Sequence, residues 1–179
     1  MNKMFSVLTI KSVDEASRTL RGVATTPTPD RMGDIIEPLG VTFKNPTPLL
    51  WQHRADEPVG FAHFEKPTKK GINFEAEIAQ IDEPGDLKNR LDMAWQSVKA
   101  KLVRGVSIGF RSIEYALMDN GGLHFLETEV LELSLVTIPA NEDATITSIK
   151  AYAAKDRGAI RLVEIESVRL PNGAVRLSK

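Results

Sequence analysis

The chain has 179 residues, 42% of them apolar, no cysteine and a formal net charge of -1, which suits one hydrophobic core with a short appendage. The lack of cysteine excludes disulfides, thiolate nucleophiles and cysteine-based zinc sites, and the near-balanced charge gives no footprint for direct nucleic-acid binding. No apolar run approaches the ~20 residues that span a bilayer, and residues 1–10 lack the apolar core and cleavage site of a signal peptide, so the expectation is a soluble protein, away from membranes, that stays where it is made.

Phe5, Val7 and Thr9 alternate with other residues as in a first strand, and residues 18–25 give a second. Residues 26–34, Thr-Pro-Thr-Pro-Asp-Arg-Met-Gly-Asp, form a loop, because two prolines and Gly33 break any ladder. Asp30 and Asp34 in that loop lack the full ligand spacing of a calcium loop, so no metal is expected there. Leu49, Trp51 and His53 alternate towards one side of a short strand, with His53 at its end. Residues 59–66 and 72–81 read as two strands joined by the polar loop Pro67-Thr68-Lys69-Lys70-Gly71.

Glu83-Pro84-Gly85-Asp86 then announces a helix, its acidic start suiting the helix dipole. Leu87, Leu91, Trp95, Val98 and Leu102 follow at spacings of three and four, which predicts a helix over 86–102 with Leu87, Leu91, Trp95 and Val98 towards the core. Val106, Ile108 and Phe110 next alternate with Gly105, Ser107 and Gly109. This strand presents one hydroxyl between two residues without side chains, and strand glycines mark sheet bends or close approaches. After the turn at Asp119-Asn120-Gly121-Gly122, residues 123–138 form the longest strand pattern. Leu131, Leu133 and Leu135 take one side, and Val130, Glu132, Ser134 and Val136 the other. Glu132 is thus a carboxylate in an apolar stretch and needs a partner. Arg104 or Arg111 would serve as a salt bridge, and a histidine as the alternative. A short helix is expected over 143–154. Residues 160–166 and 168–177 read as strand pieces, with Asn172-Gly173 as a hairpin turn. Residues 151–179 carry six basic against three acidic residues.

Ser107, His53 and Glu132 supply a nucleophile, a base and a group to orient the base, the three parts that serine catalysis needs. Gly105-Val106-Ser107-Ile108-Gly109 matches the Gly-x-Ser-x-Gly string. However, it lies in a strand after a helix, not in a strand–turn–helix elbow, which disfavours an α/β-hydrolase.

The ordered set Arg21-Gly22-Val23-Ala24, Asp30-Arg31-Met32-Gly33-Asp34, Leu49-Leu50-Trp51-Gln52-His53, Pro58-Val59-Gly60, Gly105-Val106-Ser107-Ile108-Gly109-Phe110 and Leu131 to Asn141 resembles the prohead proteases of tailed bacteriophages, over residues 19–144. The resemblance implies a mainly β fold with helices, an antiparallel β-barrel of the type found in herpesvirus maturation proteases, over residues 1–150. It implies a serine endopeptidase with His53 as base, Ser107 as nucleophile and Glu132 as third member, and it implies no cofactor. It further implies the major capsid protein and its scaffolding segment as partners, self-processing, a homodimer, and a location inside the assembling procapsid in the host cytoplasm. The herpesvirus enzymes carry a pair of arginines by the oxyanion hole. Pro139-Ala140-Asn141 stands there instead, which leaves main-chain N–H groups of that loop as candidate donors. Residues 151–158 read as a linker open to self-cleavage, ahead of a removable tail that ends at 179. The rival reading of that tail is a hairpin packed on the domain.

Two other functions compete. One is a non-catalytic β-barrel protein of capsid assembly or scaffold association, in which Ser107 and Glu132 serve packing. The other is a metal-dependent hydrolase using His53 and His63, which lacks a close ligand cluster such as His-Glu-x-x-His.

Overall fold

A computed structural model describes residues 17–150, with backbone only for 148–150, and the strand pairs at 168–169 and 175–176. The strands are β1 (Thr19–Thr25), β2 (Ile35–Ile36), β3 (Val41–Thr42), β4 (Thr47–Trp51), β5 (Arg54–Phe64) and β6 (Ile72–Ile78). Helix α1 (Asp86–Lys99) follows, then β7 (Gly105–Leu117), β8 (Leu123–Val136), β9 (Ile146–Lys150), β10 (Val168–Arg169) and β11 (Val175–Arg176). A single 3-10 turn, Pro38–Gly40, lies between β2 and β3.

The main sheet has the order β2-β8-β4-β5-β6-β1-β9, with β3 and β7 also paired to β8. Strand β8 is its organiser. One edge of β8 carries β7, antiparallel from Gly105↔Val136 to Leu117↔Leu123. The other edge takes β2, β3 and β4 in succession, all parallel. The expected mainly β fold with a helix is present, but the expected antiparallel barrel is not. The sheet is mixed, and it is not closed. Closure needs a ladder between the terminal strands. Here β9 pairs four of its five residues with β1, and the contact between β7 and the approach to β9 is one bridge, Gly105 with Thr145.

Strand β6 shows the alternation that builds the core. Ile72, Phe74, Ala76 and Ile78 are buried while Asn73, Glu75 and Glu77 are exposed. Leu20, Leu49, Val59, Val106, Leu133 and Leu135 complete the centre, each contributing roughly 1.5–3 kcal/mol by leaving water. Helix α1 lays Leu91, Ala94, Trp95 and Val98 on this core. Leu87 and Leu102, assigned to its apolar stripe by spacing, are exposed. The helix stops at Lys99, and Lys101, at φ 60, closes it. The Leu102 N–H donates to the Ser97 carbonyl and the Lys101 N–H to the Val98 carbonyl. That pair of bonds is the Schellman stop, here with a lysine where glycine is usual. At the other side of the helix, Arg18 pairs with Asp92 at 2.5 Å, and Lys88 pairs with the same carboxylate.

Two further expectations need correction. The helix expected over 143–154 is strand β9 up to residue 150; Ile146, Thr147 and Ile149 are β-branched and suit a pleated surface. Leu131 is exposed, although Leu133 and Leu135 are buried. The register passes from Gly109↔Glu132 to Phe110↔Val130, so a bulge at Leu131 turns its side chain outwards. The strand at 5–9, the piece at 160–166 and the linker at 151–158 lie outside the described residues. Strands β10 and β11 pair antiparallel; the turn expected at Asn172-Gly173 between them lies outside the described residues.

Candidate active site

His53 does not extend β4 as the alternation suggests. Trp51 pairs with Arg54, so Gln52 and His53 form a two-residue hairpin loop. Both have positive φ, 52° and 60°. Such a turn needs left-handed backbone at both positions, where Asn-Gly is the comfortable choice. Gln-His is strained there, and backbone strain of this kind persists only where the surroundings over-determine it. Strand β8 does so. The Gln52 N–H donates to the Leu135 carbonyl at 3.0 Å, and its side-chain amide donates to Thr137 Oγ1 at 3.1 Å. The His53 N–H donates to Ser134 Oγ at 3.0 Å.

The imidazole turns back onto the same strand. His53 Nδ1 lies 2.7 Å from Glu132 Oε1. The other carboxylate oxygen, Oε2, accepts from Ser134 Oγ at 2.7 Å. Both oxygens are therefore engaged, which answers the question of how this carboxylate tolerates its apolar strand. Arg111, considered as a salt-bridge partner, pairs with Glu129 instead. Arg54, beside the histidine, pairs with Asp56 and Glu57 and holds the Asp56 carboxyl below its ordinary range.

Ser107 stands opposite Ser134, and Gly109 opposite Glu132, across the β7–β8 ladder. Directly paired residues share a face of the sheet, so Ser107, Ser134 and Glu132 line one face and His53 reaches over it. The glycine has a physical reason. A Cβ on Gly109 would lie 2.2 Å from Glu132 Oε1, in the space that the carboxylate occupies. The structure thus joins His53 to Glu132 directly and sets Ser107 on the same face. Among the described residues, Ser107 Oγ has no hydrogen bond to His53, whose contact is through Nδ1. Catalytic contacts are often long in an empty site.

A small pocket of about 40 Å³ adjoins Ser107. Its walls include Ile108 and Phe110 of β7, Asp30 and Asp34 of the 26–34 loop, and Ala140 and Asn141 of the loop after β8; His53 and Glu132 do not line it. Pro139 of that latter loop packs on the start of β7, where a Cβ on Gly105 would meet its ring at 2.7 Å. Among the described residues, the N–H groups of Ala140, Asn141 and Glu142 have no acceptor, whereas that of Asp143 donates to Asn141 Oδ1.

Sequence reasoning missed Ser134, which binds both the histidine main chain and the glutamate. Its signal was available: Glu132-x-Ser134 puts two polar groups on one face of an apolar strand. It also missed the attachment of the 26–34 loop to the 137–143 loop. Among the described residues, no three His, Asp or Glu side chains form a group that could hold a metal, and no helix is long and apolar enough to cross a membrane.

A profile of the family described as Caudovirus prohead serine protease matches residues 38–157, a span containing His53, Ser107 and Glu132. The prohead protease of Escherichia phage T5 is 28% identical over 160 residues, which is 82% of this chain and 72% of that protein. The capsid polyprotein of Pseudomonas phage PAJU2 is 49% identical over 175 residues, 97% of this chain but only 26% of that protein, so the chain spans about a quarter of that relative's length. Matched by the profile over more than half of its length, the chain belongs to the Caudovirus prohead serine protease family.

Proposed function

We propose that the chain is a serine endopeptidase in which Ser107 is the nucleophile, His53 the general base and Glu132 the group that orients the base. The observation that carries this reading is the 2.7 Å contact between His53 Nδ1 and Glu132 Oε1, on the face where Ser107 stands. With Nδ1–H held by the carboxylate, Nε2 is the free acceptor. It takes the Ser107 proton as Oγ attacks the scissile carbonyl, and Glu132 stabilises the imidazolium that forms. The imidazolium then protonates the leaving amine. Water, deprotonated by the same histidine, releases the acyl group.

The developing oxyanion needs donors, each worth about 3 kcal/mol in such sites. The unpaired N–H groups of Ala140, Asn141 and Glu142 belong to the loop that reaches the pocket beside Ser107, and we assign the oxyanion hole to that loop. The substrates are the capsid protein and its scaffolding segment inside the assembling procapsid. The relatives support this assignment, since one is a capsid polyprotein and another a prohead protease. Self-cleavage within 151–158 and pairing into a homodimer belong to the same reading.

Coexpression with the capsid protein tests it. Wild type should shorten the capsid protein and its own C-terminus, while Ser107→Ala, His53→Ala and Glu132→Ala should each leave both intact. Because the three act as a unit, the double variants should add little to the singles. Processing by Ser107→Ala would refute the assignment.

A further inference from the structure

We infer that Arg31 is a positioning residue for this reaction: it fastens the Pro139–Ala140–Asn141 segment beside Ser107 and thereby sets the geometry of the oxyanion site. The inference rests on the serine-protease reading above. Its observation is a separate one, the way the two loops are joined.

The segment after β8 is also tied through Asn141, whose Nδ2 donates to the Thr26 carbonyl at 3.1 Å and whose own carbonyl accepts the Ala144 N–H at 3.1 Å, but among the described residues the carbonyls of Pro139 and Ala140 are bonded by Arg31. It runs from Val136, the end of β8, to Ala144, whose carbonyl accepts the Val106 N–H at 3.1 Å. Between these anchors it passes Gly105 and the pocket at Ser107. Arg31 makes three contacts with it. The Arg31 N–H donates to the Ala140 carbonyl at 3.0 Å, Nε donates to the Pro139 carbonyl at 3.0 Å, and Nη1 pairs with Glu142 at 3.1 Å. Two consecutive carbonyls are thus pinned by one residue. Pinned carbonyls fix the peptide planes on which the following N–H groups sit, because each peptide unit is planar. The Arg31 side chain therefore aims the Ala140 N–H through the Pro139 carbonyl, and the Arg31 main chain, which any residue there would supply, aims the Asn141 N–H through the Ala140 carbonyl.

Arg31 is itself held in place. Asp30 Oδ1 accepts from the N–H groups of Met32 and Asp34, at 2.8 and 3.0 Å. Asp34 Oδ1 accepts from the Leu123 N–H at 2.8 Å, which ties the loop to the start of β8. Thr26 and Thr28 donate to Asp143 Oδ2, at 3.1 and 2.9 Å, so the clasp grips both ends of the segment. Only an arginine supplies an Nε–H and a separate terminal donor in one rigid plane. An ammonium in its place keeps the charge facing Glu142 and loses the fork.

The test uses the full chain, phosphonylated by a fluorophosphonate and turning over p-nitrophenyl acetate, with the melting temperature measured alongside. Arg31→Ala should lower kcat and the maximal rates of acylation by the ester and of phosphonylation by about tenfold to a hundredfold, the effect expected for misplacing a donor by ~1 Å. KM should stay within about twofold, since Arg31 does not line the pocket beside Ser107. Arg31→Lys should fall between Arg31→Ala and wild type, and added guanidinium should restore part of the Arg31→Ala rate. If Arg31→Ala does not fold, Arg31→Lys carries the test, and a wild-type acylation rate in it overturns the inference. A wild-type rate in folded Arg31→Ala overturns it too, as does a loss explained wholly by the unfolded fraction. The Ser107→Ala variant separates the two claims. If it stays unlabelled while Arg31→Ala is unimpaired, only the role of Arg31 fails; if it labels like wild type, the serine mechanism fails and the role of Arg31 with it.

Discussion

Replacing Gly109 with alanine separates the site from the fold. The new Cβ would lie 2.2 Å from Glu132 Oε1 and 2.8 Å from its Cδ. Carbon–oxygen contacts below 3.0 Å essentially do not occur, so the carboxylate must retreat by at least 0.8 Å. Its 2.7 Å contact with His53 Nδ1 then stretches to about 3.5 Å, beyond useful hydrogen bonding. A hydrogen bond to a charged group is worth about 1.5–3 kcal/mol. The contact matters most when the imidazolium forms, so the loss falls on the transition state. At 1.36 kcal/mol per factor of ten, kcat/KM should drop by about 10- to 150-fold. The fold should barely respond, because the displaced atoms are the far end of a flexible side chain, and alanine restrains the unfolded chain by about 0.4–1 kcal/mol in compensation. Phosphonylation by a fluorophosphonate and a urea titration on the same sample would read both effects. Wild-type phosphonylation of folded Gly109→Ala would refute the argument that Glu132 orients the base from this position.

Two other outcomes are expected. Asp92, whose carboxyl is held low first by its hydrogen bond from Lys88 and then by that from Arg18, contributes stability that is present above its ordinary value of 3.8 and lost as pH falls through the depressed one; because solvent screens this partly exposed pair, Asp92→Asn should cost about 0.2–1 kcal/mol at neutral pH, and urea titrations of the two proteins should converge in acid. Lys101→Gly should stabilise by about 0.5–1 kcal/mol, because glycine takes the left-handed stop of α1 without a Cβ penalty, and thermal melting would show a rise of a few degrees.

Local patterns carried what local physics decides. Leu91, Trp95 and Val98 marked the buried face of α1, and the alternation of Val106, Ile108 and Phe110 marked β7 as a strand with Ser107 between glycines. The long-range pairings were not legible. Nothing in Ile35-Ile36, Val41-Thr42 or Leu49-Leu50 says that all three lie parallel along β8, because parallel register is set by contacts far apart in the chain. The missing closure has the same origin, since it depends on how Thr145 meets Gly105. His53 was placed at a strand end by its period and stands in a strained turn, where β8 overrides the local preference of Gln-His. Glu132 was recognisable as a carboxylate in need of a partner. The choice of His53 over Arg104 or Arg111 required the β4–β8 pairing, which the sequence does not display.

The central claim is that Ser107 is a nucleophile activated by His53 and Glu132, and covalent capture tests it most directly. Full-length protein would be treated with a fluorophosphonate, weighed intact and then mapped by peptide, beside Ser107→Ala and Glu132→Gln. The account predicts one adduct in wild type, located on Ser107, much slower capture in Glu132→Gln and none in Ser107→Ala. An adduct on another residue, or equal labelling of Ser107→Ala, would contradict it.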